Sequence, residues 1–152
     1  MSNIPAGFEL VTSSHPFGTL VGPVYHCQLG EGIDDWKRGF LVEKKHCNRI
    51  GFCHAGMMSF FADVVLGQSF WNHGYGPCVL MEITTDHCWP IRHGDWVEGT
   101  SRITKVEGNT DQRKGIIHTE ATMYVGNHCV LKCKAKHRQI KKRLGAWDDF
   151  PK

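Results

Sequence analysis

Between Arg49 and Glu82 the chain carries one formally charged residue, histidines apart, and that residue is Asp63. It stands inside Ala55 to Phe70 (AGMMSFFADVVLGQSF), the one segment that reads as a long helix. The helix is apolar nearly all round, which requires burial on most sides rather than one face laid on a surface. Any fold for this chain has to wrap it.

The wrapping material follows. After the glycine-rich turn His73-Gly74-Tyr75-Gly76-Pro77, strands are expected over Cys78 to Cys88, Asp95 to Val106, Gly115 to Val125 and His128 to Gln139. Pro90 to Gly94, Glu107 to Asp111 and Gly126-Asn127 separate them, each with turn chemistry. In the last strand Lys132, Lys134, Lys136 and Arg138 alternate with Leu131, Cys133, Ala135 and His137. One packed face and one wet face is the mark of an antiparallel sheet. Upstream, Leu20 to Leu29 and Lys37 to Lys45 read as further strands, with Pro23 near the start or edge of the first. The region through Pro16-Phe17-Gly18 reads as irregular or a short helix. The expectation is an α+β fold: an antiparallel sheet of five or six strands curled around one long central helix. At 152 residues the chain makes a single domain, 1–152, with a full core.

Composition narrows the classes of function. A net charge of +3 is small, and no nucleic-acid motif or aromatic stacking platform accompanies the basic residues. No stretch is long and apolar enough to span a bilayer, and the opening residues lack the pattern of a secretory signal. With seven cysteines in no repeating framework, reduced thiols in the cytoplasm are the expectation. His/Cys neighbours such as His26-Cys27 and His87-Cys88 point to opposite faces of a strand, so no metal site is expected from them.

Asp63 is the candidate for chemistry. An unpaired carboxylate is costly in an apolar setting, and functional sites are where such groups collect. Alternatively it faces water along a narrow polar stripe with Ser59 and Gln68, or pairs with a basic residue elsewhere. Asn48, Gly51, His54 and Gly56 lie in a loop running into the helix N-terminus. Free N–H groups there, with the positive end of the helix dipole, can polarise a carbonyl oxygen. Plain capping would explain the same glycines.

Together these residues carry a resemblance. Asn48-x-x-Gly51-x-x-His54-Ala55-Gly56, then Asp63 and Gly67, and later Pro90-x-x-x-Gly94-Asp95, resemble the active-site stretch of hotdog-fold thioesterases of the phenylacetate-degradation (PaaI) type. The resemblance is strongest over 36–138, leaving 1–19 and 140–152 peripheral. It implies hydrolysis of acyl-CoA thioesters, with Asp63 as base or nucleophile, Asn48 holding water or substrate, and the amides near Ala55 and Gly56 binding the thioester oxygen. His54 would shape the loop, while Gly51, Phe60 and Leu80 would border the substrate. It further implies a homodimer, often paired into a homotetramer, with shared active sites and no cofactor or metal. Two positions depart from the family pattern. His-Gly-Gly is here His54-Ala55-Gly56, and a hydroxyl residue often found before the proline is here Leu80. Both leave room for a non-catalytic module that binds acyl-CoA without cleaving it. The basic run from Lys132 to Arg143 is a candidate for holding CoA phosphates, or is simply a solvated strand face.

Overall fold

The computed structural model describes residues 4–12 and 16–141. In chain order the elements are β1 (Glu9–Leu10), α1 (Pro16–Val21), β2 (Tyr25–Gln28), β3 (Trp36–Leu41), a 3-10 turn (Lys44–His46), α2 (Ala55–Asn72), β4 (Cys78–His87), β5 (Trp96–Glu107), β6 (Ile116–Val125) and β7 (His128–Gln139). The strands form one antiparallel sheet in the order β1-β2-β3-β5-β6-β7-β4. Its seven strands exceed the expected five or six by the two-residue β1, too short for any periodicity to announce it. The single long helix lies against the inner face of this sheet as expected.

The helix and sheet meet in a core of Phe40, Met58, Phe61, Ala62, Val65, Leu66, Val97, Met123, Val130 and Leu131, all at most 1% exposed. Burying a Leu, Met or Phe side chain contributes about 1.5–3 kcal/mol each. Gly99 makes room where they meet: an added Cβ there would lie 3.5 Å from Val65 Cγ1 of α2 and 2.8 Å from Met123 Cγ of the neighbouring β6. On β6 and β7 the alternation behaves as read. Ile117, Thr119, Ala121 and Met123, and likewise Leu131, Cys133, Ala135, His137 and Gln139, are buried, while Lys132, Lys134 and Arg138 are exposed.

Two N-terminal expectations are corrected. The strand read over Leu20 to Leu29 is only Tyr25–Gln28, because Leu20 and Val21 belong to α1. Gly22 N–H closes that helix onto the Gly18 carbonyl, and Pro23 has no N–H to give to a ladder. The strand read over Lys37 to Lys45 ends at Leu41. Beyond it the buried His46 ring folds the chain back: its Nδ1 accepts from Glu43 N–H at 2.9 Å, so Nε2–H donates to the Val21 carbonyl at 2.7 Å. Burial holds His46 below the usual histidine pKa, which keeps it neutral in this role. Lys45 Nζ donates to the Gly22 carbonyl at 2.5 Å, and together these bonds dock the N-terminal segment beside α2.

Candidate active site

A cleft of about 910 Å³ opens between α2 and this docked segment. Phe60, Asp63, Val64, Gly67, Gln68 and Trp71 of α2 form one wall, and Leu10, Val11, Pro23 and Val24 form the other. Arg38, Lys45, Cys78, Leu80 and His137 also line it. The described residues therefore do not cover the helix all round. Among them, its Asp63 flank is open.

Asp63 lies on this bare flank, with its side chain 51% exposed. Its Oδ1 is 3.5 Å from Nε2 of His137, whose side chain is 1% exposed. Neither a lysine nor an arginine holds the carboxylate among the described residues. The His137 ring packs on Phe70 with centroids 4.9 Å apart, and its Nδ1 has no partner among the described residues. A bare lone pair is cheaper to bury than a bare N–H, so the neutral tautomer carries its proton on Nε2, facing Asp63. Pairing of Leu80 with His137 in the β4–β7 register places both beside the acid. No motif in the sequence singles out His137. Its one signal was a histidine on the otherwise apolar face of the last strand.

The helix N-terminus is separate from this cleft. Asn48 Oδ1 accepts from Ile50 and Phe52 N–H, both at 3.1 Å, which leaves its amide nitrogen for other partners. Gly51 sits between them at φ +86°, a left-handed conformation that favours glycine, with open space around it. His54 is the N-cap of α2, and its Nδ1 accepts from Gly56 N–H at 2.9 Å. That amide is engaged. Ala55 N–H, at the first helical position, has no intrahelical acceptor. The Pro90 to Asp95 turn pins the loop from below: Cys53 N–H donates to the Ile91 carbonyl, and Asp95 Oδ2 accepts from Arg92 N–H.

Of the expected site residues, the cleft brings together Asp63, Phe60 and Leu80. Asn48, Gly51, His54, Ala55 and Gly56 gather around the helix start. Seven residues of helix separate Gly56 from Asp63, about 10 Å at 1.5 Å per residue. The charges of Lys132, Lys134 and Arg138 lie on the outer face of β7, away from the cleft, and Lys136 pairs with Glu82 at 2.8 Å. Residues 142 and 143 of that basic run lie outside the described residues. Cys78, the one thiol in the cleft lining, is pushed up to about 11 by burial and stays protonated near neutral pH. It offers no thiolate nucleophile, which leaves the carboxylate of Asp63 as the basic group beside apolar walls.

A family profile described as the Thioesterase superfamily matches residues 50–112, from the loop before α2 through β5. A protein of Pseudomonas aeruginosa described as "Putative esterase PA0474" is 35% identical over 112 residues, which span 70% of this chain and 79% of that relative. The chain belongs to the thioesterase superfamily. Solved structures show the fold of the superfamily again. A mutant of the phenylacetic acid degradation protein PaaI from Thermus thermophilus superposes with a TM-score of 0.68 at 17% identity, covering 83% of this chain and 100% of that one. The protein smu.793 from Streptococcus mutans, solved bound to acetyl CoA, gives 0.62 at 17% identity over 94% and 98% of the two chains. The antiparallel sheet around one long helix is thus the hotdog fold, and the activity of the superfamily is thioester hydrolysis.

Proposed function

We propose that this protein hydrolyses an acyl-CoA to a free acid and CoA. The observation that carries the reading is Asp63, a half-exposed carboxylate held by no lysine or arginine among the described residues, in a cleft whose walls include Phe60, Val64, Trp71 and Leu80. Asp63 takes a proton from water as the water oxygen attacks the thioester carbon. The C–S bond then breaks, and the proton passes to the departing CoA sulfur. Direct attack by the carboxylate, through an anhydride that water opens, uses the same atoms. Phe60 and Leu80 border the acyl group, and His137 steadies the carboxylate through its Nε2–H.

One carbonyl group cannot meet both Asp63 and the open amide of Ala55 on the same helix across about 12 Å. A second copy supplies the missing half: the helix start of one protomer faces Asp63 of its partner, and Asn48 and Gly51 shape that half. Dimers, or pairs of dimers, are therefore the active form. We place the protein in the cytoplasm, where its free cysteines remain thiols.

The test is CoA release measured over short, medium, long and aryl acyl-CoAs. Turnover on at least one class supports the assignment, and silence across the panel removes it. Because His54 occupies the Gly56 amide, a module that binds acyl-CoA without cleaving it is the second reading, and binding without CoA release selects it. His137→Phe keeps the ring against Phe70 but removes the donor, a charge-assisted contact, and should lower kcat about tenfold. An unchanged kcat in this variant assigns His137 to packing alone.

A further inference from the structure

The loop that runs into α2 is closed at its base by two cysteines. Cys47 and Cys53 face each other across an isolated antiparallel bridge. Asn48 N–H donates to the Phe52 carbonyl at 2.7 Å, and His54 N–H donates to the His46 carbonyl at 2.8 Å. The flanking residues thus carry the hydrogen bonds, and the cysteines form a non-hydrogen-bonded pair. Directly opposed residues of this kind project to one face, with Cα atoms about 4.5 Å apart. A disulfide spans Cα separations of about 4.4–6.8 Å, so the backbone already holds a distance the bond can close. Both side chains pack against the same core, and both are free, partly buried thiols. The Cys47 thiol donates to the Glu43 carbonyl at 3.5 Å and the Cys53 thiol to the His54 carbonyl at 3.9 Å. These are weak bonds, and little is lost when either sulfur turns toward the other.

We propose that Cys47 and Cys53 are a redox modification site, which a peroxide converts to a reversible disulfide that locks the loop bearing Asn48 and Gly51. The two thiols take different parts. Burial, reinforced by the neighbouring Cys47, pushes the Cys53 thiol up to about 12, which makes it the poorer nucleophile. Cys47 therefore meets the oxidant first. Its thiolate attacks one peroxide oxygen, the O–O bond breaks, and a sulfenic acid forms as hydroxide leaves. The Cys53 sulfur then attacks the sulfenic sulfur. The S–S bond forms, the S–O bond breaks, and the hydroxide departs as water with the Cys53 proton. In sum, two thiols lose two electrons and one peroxide becomes two waters. Thiol reductants of the cytoplasm reverse the bond, so it lasts only while oxidant is present. Because the bridge already sets the spacing, the bond holds the loop in its present form and removes states in which Asn48 and Phe52 part. Cys88 and Cys129 also lie near each other, but Cys88 N–H donates to the Val130 carbonyl, which sets Cys88 opposite Val130.

The test treats the folded, reduced protein with hydrogen peroxide, alkylates the remaining thiols and digests with trypsin and chymotrypsin. It uses no acyl-CoA, so its result is independent of whether the protein proves to be a hydrolase. Cleavage after Lys45, Arg49, Phe52 and Phe60 puts the two cysteines in separate peptides, 46–49 and 53–60. The expected result is that peroxide joins these peptides and dithiothreitol parts them. In the oxidised protein the Asn48 and His54 amides should exchange hydrogen at least about tenfold more slowly than in the reduced one. Cys47→Ser and Cys53→Ser should each abolish the joined peptides and the slowed exchange. In Cys53→Ser the sulfenic acid should persist on Cys47, where dimedone traps it. Peptides that join only after the protein is unfolded in urea overturn the proposal, as does alkylation of both cysteines after peroxide has oxidised Cys88. So does a bond that leaves exchange at Asn48 and His54 unchanged, since the loop would then not be locked.

Discussion

Asp63→Asn should release CoA roughly 10²–10⁴-fold more slowly than wild type, the span that a positioned acid–base group contributes. Asparagine has nearly the same shape but can neither accept the proton of water nor attack a carbonyl. The fold has little to lose. The Asp63 side chain is half exposed, its Oδ1 lies 3.5 Å from His137 Nε2, and the asparagine oxygen can accept from the same N–H. The loss should therefore appear in kcat, with the melting temperature moved by no more than a degree or two. A variant that turns over like wild type would leave the acid without a chemical role. A variant that unfolds would make Asp63 a structural residue.

Phe61→Ala should be the most damaging change to stability. Phe61 is fully buried at the centre of the helix–sheet interface, with its ring 4.6 Å from that of Phe40. Phenylalanine-to-alanine changes in such cores cost about 3–5 kcal/mol through lost transfer energy and the cavity left behind. A domain of this size has only about 5–15 kcal/mol in total, so the melting temperature should fall by about 10 °C or more. Its neighbour Phe60 makes the control. Phe60 is half-buried, meets Phe17 edge-on at 5.2 Å and lines the cleft. Phe60→Ala should cost far less stability, about 1–2 kcal/mol, and change the choice of acyl group instead. Equal shifts in thermal unfolding for the two variants would contradict the division of the helix into a packed face and a substrate face.

The two prolonged signals in the chain translated directly into structure. A long, mostly apolar run free of proline is a helix that must be covered, and the alternation of Leu131, Cys133, Ala135 and His137 with lysines admits one register on a half-buried sheet. The motif around Asn48, His54 and Asp63 pointed to the same architecture through its resemblance to the thioesterases. Upstream the reading was weaker, because β1 and β2 are two and four residues long and hold their places by bonds to distant partners. Glu43, His46 and Val21 show the same limit. The turn that ends β3 depends on a histidine reaching a carbonyl from another element, which no local pattern encodes.

What the sequence determined alone was the central helix, the hairpins that cover it and the isolation of one acid among apolar neighbours, since these follow from periodicity and from the cost of burying charge. Only the tertiary structure decided which flank of the helix stays open. It alone brought His137 within 3.5 Å of Asp63 from a strand far along the chain, and left Arg38 without an anion among the described residues. The physical reason is that a charge on a strand looks the same in sequence whether it faces solvent or a cleft. Its surroundings exist only once the sheet has closed around the helix.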